Sequence, residues 1–158
     1  MLASFLFGCP AKSVIIEEPL RNGPPKEEKP AYDKTKKSDY MSDYEFIAKI
    51  EEERKKGWIF YSESSNGIYC VHVSSIDYLD TTIKAWIKRI SKKKDYSIQE
   101  TKTLFEVSCQ ERAYRLLSSV SYDKNGEVLR SSDISEPKWR HITPDSVMEA
   151  LLDILCHK

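Results

Sequence analysis

The middle of the chain alternates apolar and polar residues with a period of two, which is typical of β-strands that bury one face. The pattern begins at Trp58 in "WIFYSES" and continues in "IYCVHVSSI", where Tyr69, Val71 and Val73 share one face. Four further runs repeat it: "TIKAWIKRI", "KTLFEVSC", "AYRLLSSVSY" and "EVLRSS". We therefore predict a meander of about six antiparallel strands within residues 58–133.

Two Asn-Gly pairs mark tight turns between these runs. Asn66-Gly67 separates the first two runs, and Asn125-Gly126 separates the last two. Both residue types tolerate a positive φ, which the common two-residue hairpin turns require. Antiparallel sheets of this kind usually keep one face in water, so we expect only one face of this sheet to be covered.

A helix is predicted over residues 42–56, ahead of the strands. Ser42 and Glu45 have the spacing of a capping box, and Gly57 is a typical residue at a helix C-terminus. The face expected to carry its short apolar stripe consists of Tyr44, Ile47, Ala48 and Glu51.

A second helix is predicted over residues 144–156, at the end of the chain. Thr143 is expected to cap it, with Pro144 in the first helical position and Asp145 in the first turn. The apolar positions that recur at helical spacing are Val147, Met148, Leu151, Leu152, Ile154 and Leu155. We predict an α+β fold, in which this helix packs on the antiparallel meander sheet and the helix 42–56 is an extra N-terminal element.

The first 41 residues differ in character from the rest. Residues 10–41 are rich in Pro, Lys and Glu, which predicts a disordered tether because such a composition buries little apolar surface. The opening "MLASFLFGC" is apolar but short and lacks a basic start. Leu6, Gly8 and Cys9 fit a lipoprotein cleavage site, whereas Phe7 is bulky for its place. We expect residues 1–9 to be the remnant of a lipoprotein signal that ends at the lipobox cysteine, with Cys9 lipidated.

Composition excludes several classes of function. The 158 residues carry 25 basic and 25 acidic side chains, so no overall charge favours nucleic acid or a membrane surface. No run of 18 apolar residues is present, and five scattered glycines form no phosphate-binding loop. Without a metal-ligand spacing or a GxSxG motif, we expect no cofactor, no metal and no enzymatic activity. The pairs His141 with Asp145 and His72 with Asp77 are interpreted as structural.

One basic run is a candidate binding site. It consists of Lys84, Lys88, Arg89, Lys92, Lys93 and Lys94, in one predicted strand and the loop after it. A cationic patch there would suit sulfated glycans, anionic lipid headgroups or acidic protein segments. The alternative is an ordinary solvated hairpin end, whose lysines oppose edge-to-edge aggregation.

Aromatic residues are the other candidate. Tyr61, Tyr69, Trp86 and Tyr114 lie on predicted strands, where cross-strand packing is their ordinary role. An uncovered sheet face rich in tyrosine would instead anchor a protein partner or pair two copies into a homodimer, because Tyr and Trp dominate binding hot spots.

Two cysteines stand at the ends of predicted elements. Cys109 ends a strand and Cys156 ends the second helix. A bond between them would pin the helix to the sheet and close a loop of 46 residues, worth about 4 kcal/mol in the chain-entropy model. It would persist only in an oxidising compartment. The alternative is an intracellular protein in which Cys70, Cys109 and Cys156 are all reduced.

The ordered set of motifs over about 100 residues resembles the surface-adhesin protein E family of exported bacterial proteins. The matching segments are "GWIFY", "GIYCVHVSSI", "KAWIK", "LFEVSC", "YRLLSSVSYDKNGEV" and "PKWRHITPDSVMEALLDILC". Cys70 stands where the family often has an acidic residue. The resemblance implies an antiparallel sheet with a packed helix, export that is frequently as a lipoprotein, and pairing of Cys109 with Cys156.

The name of the family comes from binding of host extracellular-matrix proteins by a characterised member. We therefore expect residues 42–158 to form a non-enzymatic adhesin-like module that binds host matrix proteins or another macromolecule. A lipid anchor would hold it to the bacterial outer membrane or cell surface and would be its only membrane contact. The alternatives are a periplasmic accessory lipoprotein without a host ligand and the small intracellular protein with reduced cysteines.

Overall fold

The computed structural model describes residues 39–157. The two helices are α1 (Asp43–Lys55) and α2 (Val147–Cys156). The strands are β1 (Trp58–Ser64), β2 (Gly67–His72), β3 (Asp77–Tyr78), β4 (Ile83–Ser91), β5 (Glu100–Ser108), β6 (Ala113–Tyr122), β7 (Val128–Asp133) and β8 (Arg140–His141). A 3₁₀ turn, Val73–Ser75, follows β2. Cys9 and the predicted tether up to residue 38 lie outside the described residues.

All strands belong to one antiparallel sheet, with the order β1-β2-β4-β5-β6-β7. This order confirms the predicted six-strand meander and the α+β class. β3 pairs with β4, and β8 pairs with β6. These two strands contain two residues each and were not predicted, because an alternating pattern cannot be recognised in two residues.

The first hairpin forms where Asn66-Gly67 predicted it, but for a different reason. Neither residue is among the described positions with positive φ. Gly67 opens β2 at a place where a Cβ atom would lie 3.0 Å from the Ile90 carbonyl oxygen and 3.1 Å from Arg89 Nε. Close approach of β4 therefore favours glycine here. In the second hairpin Gly126 does adopt a positive φ of 84°, as predicted.

The start of α1 is the predicted capping box. The Ser42 hydroxyl accepts from the Glu45 amide, and the Ser42 amide donates to the Glu45 carboxylate at 2.8 Å. The predicted buried face is wrong, since Tyr44 is 83% exposed. Phe46 and Ile50 pack against the sheet with the buried Glu53. Because the packed face includes a carboxylate, the pattern of apolar residues alone does not predict it.

The second helix begins three residues later than predicted, at Val147. Asp145 has a left-handed backbone with φ of 57°, which interrupts helical geometry. Ser146 is the cap in place of Thr143, because its hydroxyl accepts from the Glu149 amide at 3.2 Å. Leu151, Leu152 and Leu155 are buried, whereas Ile154 is 43% exposed, contrary to the prediction.

Both faces of the sheet are covered near β1, β2 and β4, and the expectation of a single covered face is wrong. On one face, buried side chains pack with α1; they are Trp58, Ile68, Cys70 and Ile90. On the other face, a second cluster packs with the α2 leucines and comprises Val71, Ile83, Ala85, Ile87, Val107 and Ile142. Strand β7 is exposed at all six positions. Exposed sheet surface is therefore found toward β7.

The predicted disulfide is present. Cys109 Sγ and Cys156 Sγ are 2.04 Å apart, and the Cα atoms are 5.8 Å apart. Cys109 directly follows β5, and Cys156 is the last residue of α2. The bond therefore ties the end of the helix to the end of a central strand. Cys70 is free and buried.

Candidate functional site

A groove of about 660 Å³ opens beside the first turn of α2, on the sheet face that α2 covers. One side consists of strand residues, and the other sides are formed by the segment 134–140 and the start of α2. Four aromatic side chains line it: Tyr61, Tyr69, Phe105 and Tyr114. We call this the aromatic groove.

Strand register explains why these side chains meet. Tyr69 pairs with Arg89, which in turn pairs with Thr101, so the three lie side by side on one face. In β1 the register shifts between Phe60 and Ser62, and Tyr61 is the extra residue of this bulge. Alternation from Phe60, which packs on the α1 side, places Tyr61 on the α2 face.

The aromatic rings pack in two pairs. The ring centroids of Tyr61 and Tyr69 are 6.4 Å apart and tilted. Those of Phe105 and Tyr114 are 5.7 Å apart, edge to face. Both distances lie within the range of favourable aromatic contacts. Three of the four strand aromatics singled out in the sequence thus line one groove, whereas Trp86 packs with the α1-side cluster.

The Tyr61 hydroxyl has no hydrogen-bond partner, and within residues 39–157 it is the one buried side-chain nitrogen or oxygen in that state. Burial, with a smaller contribution from Tyr69, raises the pKa of Tyr61. The hydroxyl therefore stays protonated at neutral pH and keeps a donor. A buried donor without an acceptor costs free energy, so this hydroxyl lowers the stability of the fold.

Charged side chains also line the aromatic groove. They are Arg89, Glu136, Lys138 and Arg140. Within the described residues the three cations make no ion pair, although Arg89 donates to the Asn66 carbonyl oxygen at 3.4 Å. Three cations face one carboxylate, so the groove carries a local positive charge in a chain that is neutral overall.

The predicted basic run does not form one surface. Lys88 is buried, whereas Arg89 points to the opposite face and lines the aromatic groove. Lys84 is half-buried and pairs in register with Glu106. Each of the other lysines has a carboxylate partner: Lys88 with Glu53 at 2.5 Å, Lys92 with Glu63 at 2.6 Å, Lys93 with Asp95 at 3.8 Å and Lys94 with Glu45 at 2.9 Å.

Comparison with known sequences decides the family. The sequence model described as Surface-adhesin protein E matches residues 58–157. The chain belongs to the surface-adhesin protein E family.

Solved structures of Haemophilus influenzae protein E are similar to this surface-adhesin protein E member. Crystal form II is 14% identical, the similarity covers 63% of this chain and 87% of that chain, and the TM-score is 0.48. A second structure of the same protein is 15% identical, with 63% and 83% covered and a TM-score of 0.48. No curated protein matches the chain.

The surface-adhesin protein E family is an exported, surface-exposed family, and membership supports an adhesin that binds other macromolecules without enzymatic activity. The disulfide agrees with an oxidising compartment. Between residues 39 and 157, neither helix is long and apolar enough to span a bilayer.

The helix α1 precedes the segment that matches the surface-adhesin protein E model, and a buried charge joins it to the sheet. Burial raises the pKa of Glu53, but the hydrogen bond from Lys88 and the charges of Lys49 and Lys56 outweigh it, so the pKa is lowered. Glu53 is therefore ionised at neutral pH.

Burial and the nearby Glu53 raise the pKa of Cys70 to about 11, so its thiol is protonated and a poor nucleophile.

Sequence reasoning missed several residues that line the aromatic groove. Glu136, Lys138 and Arg140 come from a segment without periodicity, and only the folded chain brings them to the strands. The alternation in "KTLFEVSC" placed Phe105 on a strand face, but no local signal paired it with Tyr114. Across the described part of the chain, no cluster of three metal-ligating side chains occurs.

Proposed function

We propose that this chain is a lipid-anchored surface binding module without enzymatic activity, which holds a macromolecular ligand in the aromatic groove. A host extracellular-matrix protein is the proposed ligand, in keeping with the adhesin family. The proposal rests on one observation: three tyrosines and a phenylalanine line the same open groove of about 660 Å³. Tyrosine is enriched at the energetic centres of protein interfaces because it joins apolar area to a polar tip.

The aromatic groove can be tested with the single substitution Tyr69→Ala. Loss of a central aromatic contact of about 2 kcal/mol would weaken adhesion to an extracellular-matrix extract roughly 30-fold. Adhesion is measured by surface interferometry with the immobilised extract. The matched control is Tyr44→Ala, which removes an 83% exposed tyrosine from α1 and is expected to bind like the wild type.

Thermal melting of both variants separates binding from folding. A Tyr69→Ala protein that melts near the wild-type temperature and still adheres with wild-type affinity would refute the groove as the contact surface. If no variant or wild-type protein adheres, and intact cells protect the chain from added protease, the periplasmic accessory lipoprotein is the better explanation.

We also propose that Cys9 is acylated and that the segment after it spaces the domain from the membrane. A semi-extended chain of about 30 residues reaches some tens of ångströms at up to ~3.1 Å per residue. Two or three acyl chains hold a protein firmly on a bilayer, whereas one is marginal. The substitution Cys9→Ser should move the protein from the membrane fraction to the soluble fraction and abolish labelling by a fatty-acid probe. Unchanged fractionation and labelling would contradict the anchor.

We also propose a homodimer through the edge of the sheet at β7, which within residues 39–157 pairs with β6 alone. All six residues of β7 are exposed, and Val128 and Leu129 are 58% and 51% exposed. An edge strand of this kind offers unpaired backbone groups to a second strand. Sedimentation should give a dimer for the wild type and a monomer for Leu129→Lys. Identical sedimentation as monomers would rule the dimer out.

A further inference from the structure

We infer that the segment held by the aromatic groove is an acidic peptide with an apolar anchor side chain. The inference rests on the proposed function, because it names the chemistry of the ligand for that same groove. It is carried by two observations: cations without acidic partners and an apolar lining.

The cations of the aromatic groove differ from the other basic residues of the same region. Lys88, Lys92, Lys93 and Lys94 each lie within 4 Å of a carboxylate. Arg89, Lys138 and Arg140 have no such partner within residues 39–157, and Glu136 is the single acidic residue in the lining. Arginine pairs with carboxylates through two parallel hydrogen bonds. A ligand with carboxylates would form ion pairs with these three side chains.

The lining favours a peptide over a glycan. Aromatic and aliphatic side chains dominate it, and Leu116, Ile134, Val147 and Met148 join the four aromatic residues. The two threonine hydroxyls in the lining already have partners: Thr101 Oγ1 lies 3.3 Å from Ser121 Oγ, and Thr103 Oγ1 lies 3.4 Å from Ser119 Oγ. A neutral polyol would therefore find no free threonine hydroxyl, whereas an apolar side chain would be buried among the aromatic and aliphatic residues.

The cationic and apolar parts of the lining belong to one groove. An acidic peptide with an apolar side chain would use both together.

The experiment is a selection of random peptides displayed on phage against the full chain. Peptides retained by the wild type should be enriched in Asp and Glu around a large apolar residue. The substitutions R89Q, K138Q and R140Q together should reduce the affinity of a selected synthetic peptide about tenfold or more. The matched control, K92Q with K93Q and K94Q, removes the same charge outside the groove and should change the affinity less than about twofold.

The inference would be overturned if the retained peptides lack acidic enrichment, or if the two triple variants lose peptide affinity equally. It would also be overturned if heparin displaces the bound peptide while a competing acidic peptide at the same concentration of negative charge does not. The pair K138Q and R140Q, which changes only exposed positions, replaces the triple variant if that variant unfolds. If Tyr69→Ala still abolishes adhesion while no acidic peptide is selected, the proposed function stands and this inference fails.

Discussion

Replacing both Cys109 and Cys156 by alanine is expected to lower the free energy of unfolding by about 4 kcal/mol. The bond joins residues 47 positions apart, and closing a loop of this length restricts the unfolded chain by that amount in the chain-entropy model. For a domain of this size the melting temperature should fall by roughly 15 °C. Differential scanning calorimetry, with and without a reductant, measures both quantities.

Cys70 provides the matched control for this double substitution. It is buried but unpaired, so Cys70→Ala removes a thiol without opening a loop and should cost only about 1 kcal/mol. A reductant should lower the wild-type melting temperature toward that of the double variant and leave the double variant unchanged. Equal melting temperatures for the wild type and the double variant would contradict the expectation.

The same double substitution should also weaken ligand binding. Val147 and Met148, at the start of α2, line the aromatic groove. The disulfide fixes the other end of that helix, at Cys156, to the sheet. Without the disulfide, α2 would be held only by its buried leucines and would position this wall of the groove less rigidly. Adhesion should therefore weaken even at a low temperature at which the double variant is still fully folded.

The sheet could be predicted from the sequence because alternation is a local signal. Each strand from β4 to β7 carries its own period of two, and short turns leave no choice of strand order. The position of α1 could not be predicted in the same way. Phe46, Ile50 and Glu53 pack on the sheet together, and no pattern of apolar residues predicts a buried carboxylate.

The candidate site was predictable only in part, for a related reason. Tyr61, Tyr69 and Tyr114 were recognised as strand aromatics, but their meeting depends on the register of strands that are distant in sequence. The basic run illustrates the opposite error. Arg89 lies on the opposite face from Lys88, and the lysines pair with carboxylates from α1, β1 and the β4–β5 loop. Sequence proximity therefore overstated their local charge.

Replacing Glu53 by glutamine is expected to lower the free energy of unfolding by about 3 kcal/mol. The carboxylate is 1% exposed and lies 2.5 Å from Lys88 Nζ, which is itself buried. The substitution would leave a buried ammonium with the face of the Trp58 ring, 4.5 Å away, and one longer carboxylate contact, to Glu100 at 3.5 Å. An uncompensated buried charge is strongly destabilising, whereas apolar replacement of both partners is often neutral. Glu53→Met combined with Lys88→Met should therefore stay within about 1 kcal/mol of the wild type.

The control for this buried pair is Glu52→Gln on the same helix. Glu52 is paired with Lys49 and Lys56 but half exposed, so its loss should cost less than about 1 kcal/mol. Urea denaturation of the wild type, both single variants and the Met pair gives the four values needed. Equal costs for Glu53→Gln and Glu52→Gln would show that the buried pair does not hold α1 to the sheet.

The pH dependence of stability gives the same pair an independent readout. The pKa of Glu53 is lowered from 4.5 in the folded protein, since Lys88, Lys49 and Lys56 outweigh the effect of burial. Its stabilisation is therefore complete above pH 4.5 and is lost as the pH falls through the lowered value. Glu53→Gln should flatten the stability curve in that range. A thiol-labelling experiment gives a further readout, because Cys70 lies beneath α1. If the Glu53–Lys88 pair attaches α1, which precedes the family-matched segment, to the sheet, Cys70 should be labelled faster in Glu53→Gln than in the wild type. Mass spectrometry measures the labelling rate.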